Sequence, residues 1–205
     1  MVVLEPNVTR ESPSEQSLAV FNSESSPPWC RKLFQDPNLC PIATTSRKPK
    51  STTEDSFVAE TLATPSTISA WQSFYRTQSS QSNAGTNQDS APVAGELISL
   101  LALGAGINGH TDIAHGGLLS LILDETLGTV VARHILPSKS AFTVSLNVSF
   151  KKPVPTPCIV FCRTWLEKRS SGRKYWVRGT IEDGEGMLYA EAEGLWIAVD
   201  RHQKL

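Results

Sequence analysis

The sequence predicts an α+β domain in which a curved antiparallel sheet wraps around one long helix. Three observations lead there. Residues 115–134 are apolar on almost every side, so a helix formed by them must be enclosed rather than laid on a surface. Four strand-like segments follow in succession, separated by turn signals at the Pro153, Pro155 and Pro157 cluster, at SSGR and at GEG. Strands that follow one another without intervening helices point to α+β, and no repeat of 20–50 residues suggests a solenoid.

Taken in order, residues 1–28 are rich in Ser, Glu, Asn and Pro, a composition that predicts a disordered tail. Residues 29–92 read as an N-terminal extension or cap. Within it, Trp29, Leu33 and Phe34 have helical spacing between prolines. The stretch SFVAETLA alternates like a short strand, whereas Ile68, Trp71 and Tyr75 at i, i+3, i+7 predict an amphipathic helix in STISAWQSFYR. Residues 77–92 are loop by composition. The main domain is assigned to residues 93–205. It opens with the apolar strand VAGELISLLAL and the Gly-rich loop GAGINGH, and the helix of about 30 Å follows. In AFTVSLNVSF, strand alternation puts Phe142, Val144, Leu146, Val148 and Phe150 on one face and Thr143, Ser145, Asn147 and Ser149 on the other. Residues 158–169, 174–183 and 187–199 complete the sheet, with Trp165, Trp176 and Trp196 assigned to core or interface.

The 205 residues suit one domain with an extension. Lys+Arg 19 against Asp+Glu 20 gives a net charge of −1, which advertises no nucleic-acid or membrane surface and favours a small-molecule partner. Cys30, Cys40, Cys158 and Cys162 lack C-x-x-C spacing and read as reduced thiols, with no metal site expected. No apolar run approaches the roughly 20 residues of a membrane span. The opening MVVLEPNVTRESPSEQ lacks a signal-peptide core and carries three acids, so a cytoplasmic protein is expected, with a mitochondrial one left open.

Chemistry concentrates around AHGGLLSLILDETLG. Asp124 stands among leucines, and a buried carboxylate without a partner costs several kcal/mol. Gly116 and Gly117 occupy the first helical turn, where unpaired N–H groups and the positive dipole end can hold a developing oxyanion. His115 either holds this turn or lines an entrance. Asp124 lies eight residues after Gly116, roughly 12 Å along the helix, too far for both to grip one reacting centre within a chain. Two antiparallel helices in a symmetric dimer would bring them together. The other reading of Asp124 is a buried acid satisfied by backbone or serine. Glu125 is assigned to a solvated face.

INGHTDIAHGGLLSLILDETLG followed by AFTVSLNVSFKKPVP resembles the hotdog-fold acyl-CoA thioesterases of the PaaI-like, 4-hydroxybenzoyl-CoA thioesterase superfamily, over about residues 93–199. The resemblance implies a hotdog fold and hydrolysis of an acyl thioester, acyl-CoA or carrier-bound, by a homodimer or homotetramer. It implies no cofactor beyond the coenzyme A of the substrate. Gly116 would polarise the thioester carbonyl with help from Asn108. Asp124 of the opposite subunit would act as general base or nucleophile, and Thr143 would orient the water. Asn108 and His115 lie seven positions apart, one more than in close relatives, so His110 is an alternative donor. Gly117 would let the substrate approach the backbone. Lys151 and Lys152 either meet the coenzyme A phosphates or guard a strand edge. Two rivals remain: a non-catalytic acyl-CoA-binding module, and a dehydratase or isomerase on the same fold.

Overall fold

The computed structural model describes residues 8–76, 95–170 and 172–201. Two short helices, α1 (Glu15–Phe21) and α2 (Pro28–Gln35), precede strand β1 (Leu39–Ile42). A 3-10 turn (Thr45–Arg47) and a π-helical turn (Phe57–Thr61) lead to β2 (Ile68–Arg76) and β3 (Glu96–Leu103). The small hairpin β4 (Asn108–His110) and β5 (Ile113–Ala114) delivers the chain to α3 (Gly116–His134). Four long strands follow: β6 (Lys139–Phe150), β7 (Cys158–Arg169), β8 (Lys174–Glu182) and β9 (Leu188–Asp200).

Seven strands make one antiparallel sheet in the order β1-β2-β3-β7-β8-β9-β6. Helix α3 packs against β3, β6, β7, β8 and β9 and buries Leu119, Ile122, Leu123, Leu127, Val130 and Val131. Close approach needs small residues on the strands. A Cβ on Gly179 would sit 2.6 Å from Thr164 Cγ2 and 3.2 Å from Leu127 Cδ2, and one on Gly194 would run into the ring of Trp196. Gly179 thus leaves room for Thr164 of β7 and Leu127 of α3, and Gly194 for the Trp196 ring of its own strand.

The N-terminal third departs from the sequence reading in three places. The segment 66–76 forms strand β2 from Ile68 to Arg76, not a helix. Ile68, Trp71 and Tyr75 face the α3 core while Ala70 and Phe74 face the opposite layer, so both sides of the segment are buried. Helical spacing had shown only one of these faces; pairing with β1 and β3 decides the other. Residues 56–63 contain a π-helical turn rather than a strand. Arg47 holds that turn by donating from Nη1 to the carbonyls of Val58 (2.9 Å) and Leu62 (3.2 Å). The stretch read as a disordered tail contains α1, capped by Ser14 and anchored by the fully buried Phe21. Of the expected loop, residues 77–92 lie outside the described residues.

The sheet thus begins at Leu39 and not at residue 93. Every residue of β3 is buried, because α3 covers one face while α1 and α2 cover the other. Trp29 meets Phe161 edge-on at 5.9 Å, and Phe34 meets Phe74 at 5.1 Å. Strands buried on both faces read as continuous apolar runs, which is what ELISLLAL is. Among the tryptophans, Trp196 is in the core, whereas Trp165 and Trp176 are half-buried, the latter beneath Lys168 Nζ at 5.2 Å.

Strand β6 carries a bulge. Thr143 pairs with Trp196 and Ser145 with Leu195, leaving Val144 as the extra residue. Strict alternation fails at this point. Ala141 and Thr143 face α3 before the bulge, and Leu146 and Val148 pack on the same core after it. Beyond β9, the other edge of β6 has no strand beside it among the described residues, and Phe142, Val144 and Phe150 are exposed.

His134 ends α3 almost wholly buried, with Nδ1–H donating to the Val130 carbonyl at 3.2 Å and Nε2 without a partner among the described residues. Burial, with Arg169 adding, pushes its pKa from 6.5 down to about 4. The unfolded chain then binds a proton more readily than the folded one. Stability from this group is complete above pH 6.5 and is lost as pH falls toward 4, by up to roughly 3 kcal/mol. Thermal melts across that window should show a steeper decline for the wild type than for His134→Gln; parallel curves would contradict the assignment.

Candidate active site

The site is built from both ends of one helix segment. At the start of α3, His115 is the N-cap, with φ −66° and ψ 132°, and its Nδ1 accepts the Gly117 N–H at 2.9 Å. The neutral ring therefore carries its proton on Nε2. The His115 amide donates to the Ile107 carbonyl at 2.9 Å. Gly109 lies against the ring: a Cβ there would be 2.8 Å from His115 Cδ2. Of the two alternatives for His115, the geometry gives the one that holds the turn.

With Gly117 engaged by the cap, the Gly116 N–H has no acceptor among the described residues. It is an orphan donor of the first helical turn, at the positive end of the dipole. The Phe150 ring covers this glycine, 3.3 Å from where a Cβ would lie. Sequence reasoning placed Phe150 on an apolar face and missed this contact. Asn108 pairs with Ala114 across the β4–β5 hairpin, immediately before the cap. Its Oδ1 accepts from Thr156 Oγ1 at 2.5 Å, which leaves the amide NH₂ as the group it can offer. His110 is exposed on the same hairpin. Lys151 and Lys152 follow Phe150 and both donate their backbone N–H to the Tyr189 carbonyl. The Lys151 ammonium is ion-paired with Glu191 at 2.7 Å, and Lys152 is exposed.

Two turns further along α3, Asp124 is half-buried and receives a 2.9 Å hydrogen bond from Thr143 Oγ1 to its Oδ1. The bulge at Val144 makes this contact possible, because it lets Thr143 share the helix-facing side with Leu146 and Val148. Sequence alternation had put Thr143 opposite those residues. The pair lines a cavity of about 410 Å³ bounded by α3, β6, Trp196 and residues 45–55. Glu125 also lines it, in contrast to the solvated face expected for it. Burial pushes the Glu125 carboxyl above its ordinary range; the Ser46 hydroxyl bonded to it opposes this, and the neighbouring Asp55 and Asp124 carboxylates reinforce it.

The structure therefore makes two clusters in each chain: His115, Gly116, Gly117 and Asn108 at the helix start, and Asp124 with Thr143 beside the cavity. About 12 Å of helix separates them. One supplies hydrogen-bond donors and the other a carboxylate whose Oδ2 has no donor among the described residues. Among the described residues, no group of three His, Cys, Asp or Glu side chains is placed to hold a metal ion.

In comparison with known proteins, residues 111–190 match the family model described as Thioesterase superfamily. The matched segment spans β5, α3 and strands β6 to β8, with the start of β9. Among individual proteins, it is similar to acyl-coenzyme A thioesterase THEM4 of Mus musculus, 35% identical over 109 residues, covering 53% of this chain and 45% of the relative. It is also similar to acyl-coenzyme A thioesterase THEM5 of Homo sapiens, 25% identical over 113 residues, covering 55% and 44%. The MIOREX complex component 3 of Saccharomyces cerevisiae is 34% identical over 88 residues, covering 43% and 32%. The chain spans less than half the length of each of these relatives. Among solved structures, BH2602 protein from Bacillus halodurans with CoA aligns with TM-score 0.47 and 22% identity, over 50% of this chain and 66% of that one.

The cap can be tested directly. His115→Ala removes the acceptor of the Gly117 N–H, and Gly117→Ala would put a Cβ 2.9 Å from His115 Nδ1 and displace the ring. Each substitution should cost about 1 kcal/mol in urea unfolding, and the double variant should lose little more than either alone, because both break one contact. Full additivity would mean that the ring does not cap the helix.

Proposed function

We propose that this chain hydrolyses an acyl-CoA thioester, working as a homodimer with sites shared between subunits. The observation that carries this reading is the Asp124–Thr143 pair beside a cavity, on the helix whose first N–H, at Gly116, has no acceptor among the described residues. The names of the THEM4 and THEM5 relatives support the substrate class. A hotdog arrangement is part of the proposal, with the sheet curled around α3 and an N-terminal helical cap on its outer face.

The unpaired edge of β6 supports the dimer. A long strand edge with exposed Phe142, Val144 and Phe150 is a template for strand addition. Two β6 strands pairing antiparallel across a two-fold axis would continue the sheet and set the two α3 helices antiparallel. Asp124 of one protomer would then approach the helix start of its partner. In this reading Asp124 takes the proton of a water, held in line by Thr143, as the oxygen attacks the thioester carbonyl carbon. The oxyanion that forms is bonded by the Gly116 N–H of the other protomer, with the Asn108 amide assisting. Collapse of the tetrahedral adduct breaks the carbon–sulfur bond. The departing thiolate takes the proton back from Asp124, leaving free acid and coenzyme A. Lys152, and Lys151 if it exchanges Glu191 for phosphate, would meet the nucleotide at the rim. A cytoplasmic location stays part of the reading, beside the mitochondrial one named for the Candida albicans relative. Among the described residues, no helix is long and apolar enough to cross a membrane.

Asp124→Asn should reduce thiol release from acyl-CoA by at least about 10³-fold with an unchanged melting temperature. Gly116→Pro deletes the N–H at a helix position that tolerates proline, and should cost about 10²–10³ relative to Gly116→Ala, which brings the same Cβ against Phe150 but keeps the N–H. After subunit exchange, an equal mixture of the two inactive variants should recover roughly a quarter of wild-type activity, because half the dimers hold one intact site. Absence of recovery after verified exchange would rule out the shared site, and wild-type turnover by Asp124→Asn would rule out the base.

A further inference from the structure

The cavity beside Asp124 has two unlike walls. One, formed by α3 and the residue after it together with β6 and β9, is mixed: Ala132, Ile135, Phe142 and Trp196 are apolar, while Asp124, Glu125, Thr129, Lys139, Ser140 and Thr143 are polar. The other is hydrophilic and comes from outside the matched segment: Thr45, Ser46, Lys50, Glu54 and Asp55, all from the strap between β1 and β2. Nothing in the strap resembles the lining of a pocket for a plain hydrocarbon.

The strap is held in place by specific bonds. Arg47 donates from Nη2 to the Ile68 carbonyl at 2.8 Å, in addition to its two bonds to the π-helical turn. Arg133 of α3 donates to the Ala43 carbonyl at 3.2 Å, and the buried Ser46 bonds Glu125. Lys50 Nζ sits between Asp55 Oδ2 at 2.6 Å and Glu54 Oε1 at 2.8 Å. The wall is therefore organised before any ligand arrives.

We infer that residues 45–55 are a specificity wall: they select acyl groups that end in a neutral hydrogen-bonding group, such as a hydroxyl, over plain alkyl groups of the same length and over groups that end in a carboxylate. An alkyl end would strip water from Lys50, Glu54 and Asp55 without replacing its hydrogen bonds. A carboxylate end would meet Glu54, Asp55, Asp124 and Glu125, while the two cations of the lining are already committed, Lys50 to Glu54 and Asp55 and Lys139 to Asp200. A hydroxyl can donate to a carboxylate and accept from the ammonium, so it restores what it displaces. The inference rests on the hydrolase reading above for its substrate class, and on the cavity for its selectivity.

The test compares butanoyl-, 4-hydroxybutanoyl- and succinyl-CoA as substrates of the full chain, and the matching non-hydrolysable CoA thioethers as ligands in calorimetry. The hydroxyacyl compound should be favoured by at least about tenfold over each of the others, in kcat/KM and in Kd. Lys50→Met and Thr45→Val should each narrow that ratio, and the second serves if the first does not fold. Turnover with no preference, or a preference that neither variant moves, overturns the wall and leaves the hydrolase reading standing. A tenfold preference in thioether binding, narrowed by the variants but without turnover of any thioester, does the reverse. Neither turnover nor preference overturns both.

Discussion

The constraint on which the structure depends is the burial of α3. A helix with apolar residues on almost every side has no stable place on a surface, so the sheet has to come to it from several directions. Strands β3, β6, β7, β8 and β9 all contact it, and Gly179 of β8 leaves room for its Leu127. Burying its leucine- and valine-sized side chains stabilises the fold by about 1.5–3 kcal/mol each relative to exposure. A carboxylate on that helix is therefore tolerated only where the enclosure is incomplete. Asp124 occupies such a place, half-buried at the β6 edge, beside a hydroxyl donor and a cavity.

The same enclosure separates two kinds of polar chemistry. At its start the helix offers N–H groups, and the cap decides which of them stays available: His115 takes Gly117 and leaves Gly116. Further along, its side chain chemistry is anionic. A rigid rod holds the two apart, so they can cooperate at one small centre only if a second rod runs the other way. The exposed β6 edge is the feature of the chain that would allow this, and it is also the strand that carries Thr143.

The N-terminal segment adds a second layer to this scheme. α1 and α2 cover the outer face of β2 and β3 with Phe21, Trp29 and Phe34, while the strap from residue 45 reaches round to the Asp124 cavity. Sequence outside the thioesterase-superfamily match thus shapes both the back of the sheet and the wall of the candidate site. Arg47 illustrates how: a guanidinium desolvated enough to lower its own pKa is satisfied by three backbone carbonyls and ties the strap to β2.

Local order in the chain sufficed for the helix that begins at Gly116, for the four strands after it and for the carboxylate that stands out among leucines, because periodicity and an unpaired charge are properties of neighbouring residues. It sufficed as well for the glycines at the helix start. Tertiary structure alone decided three other things. Residues 68–76 became a strand because partners on both sides and burial on both faces outweighed a helical stripe. Thr143 turned toward Asp124 because a bulge against β9 changed the parity of β6, and parity depends on the partner strand rather than on the strand's own residues. Glu125 met Ser46, and Asp124 gained its polar wall, because a segment some eighty residues earlier folds across α3. Contacts over that separation are set by how the layers pack and leave no period in the chain to read.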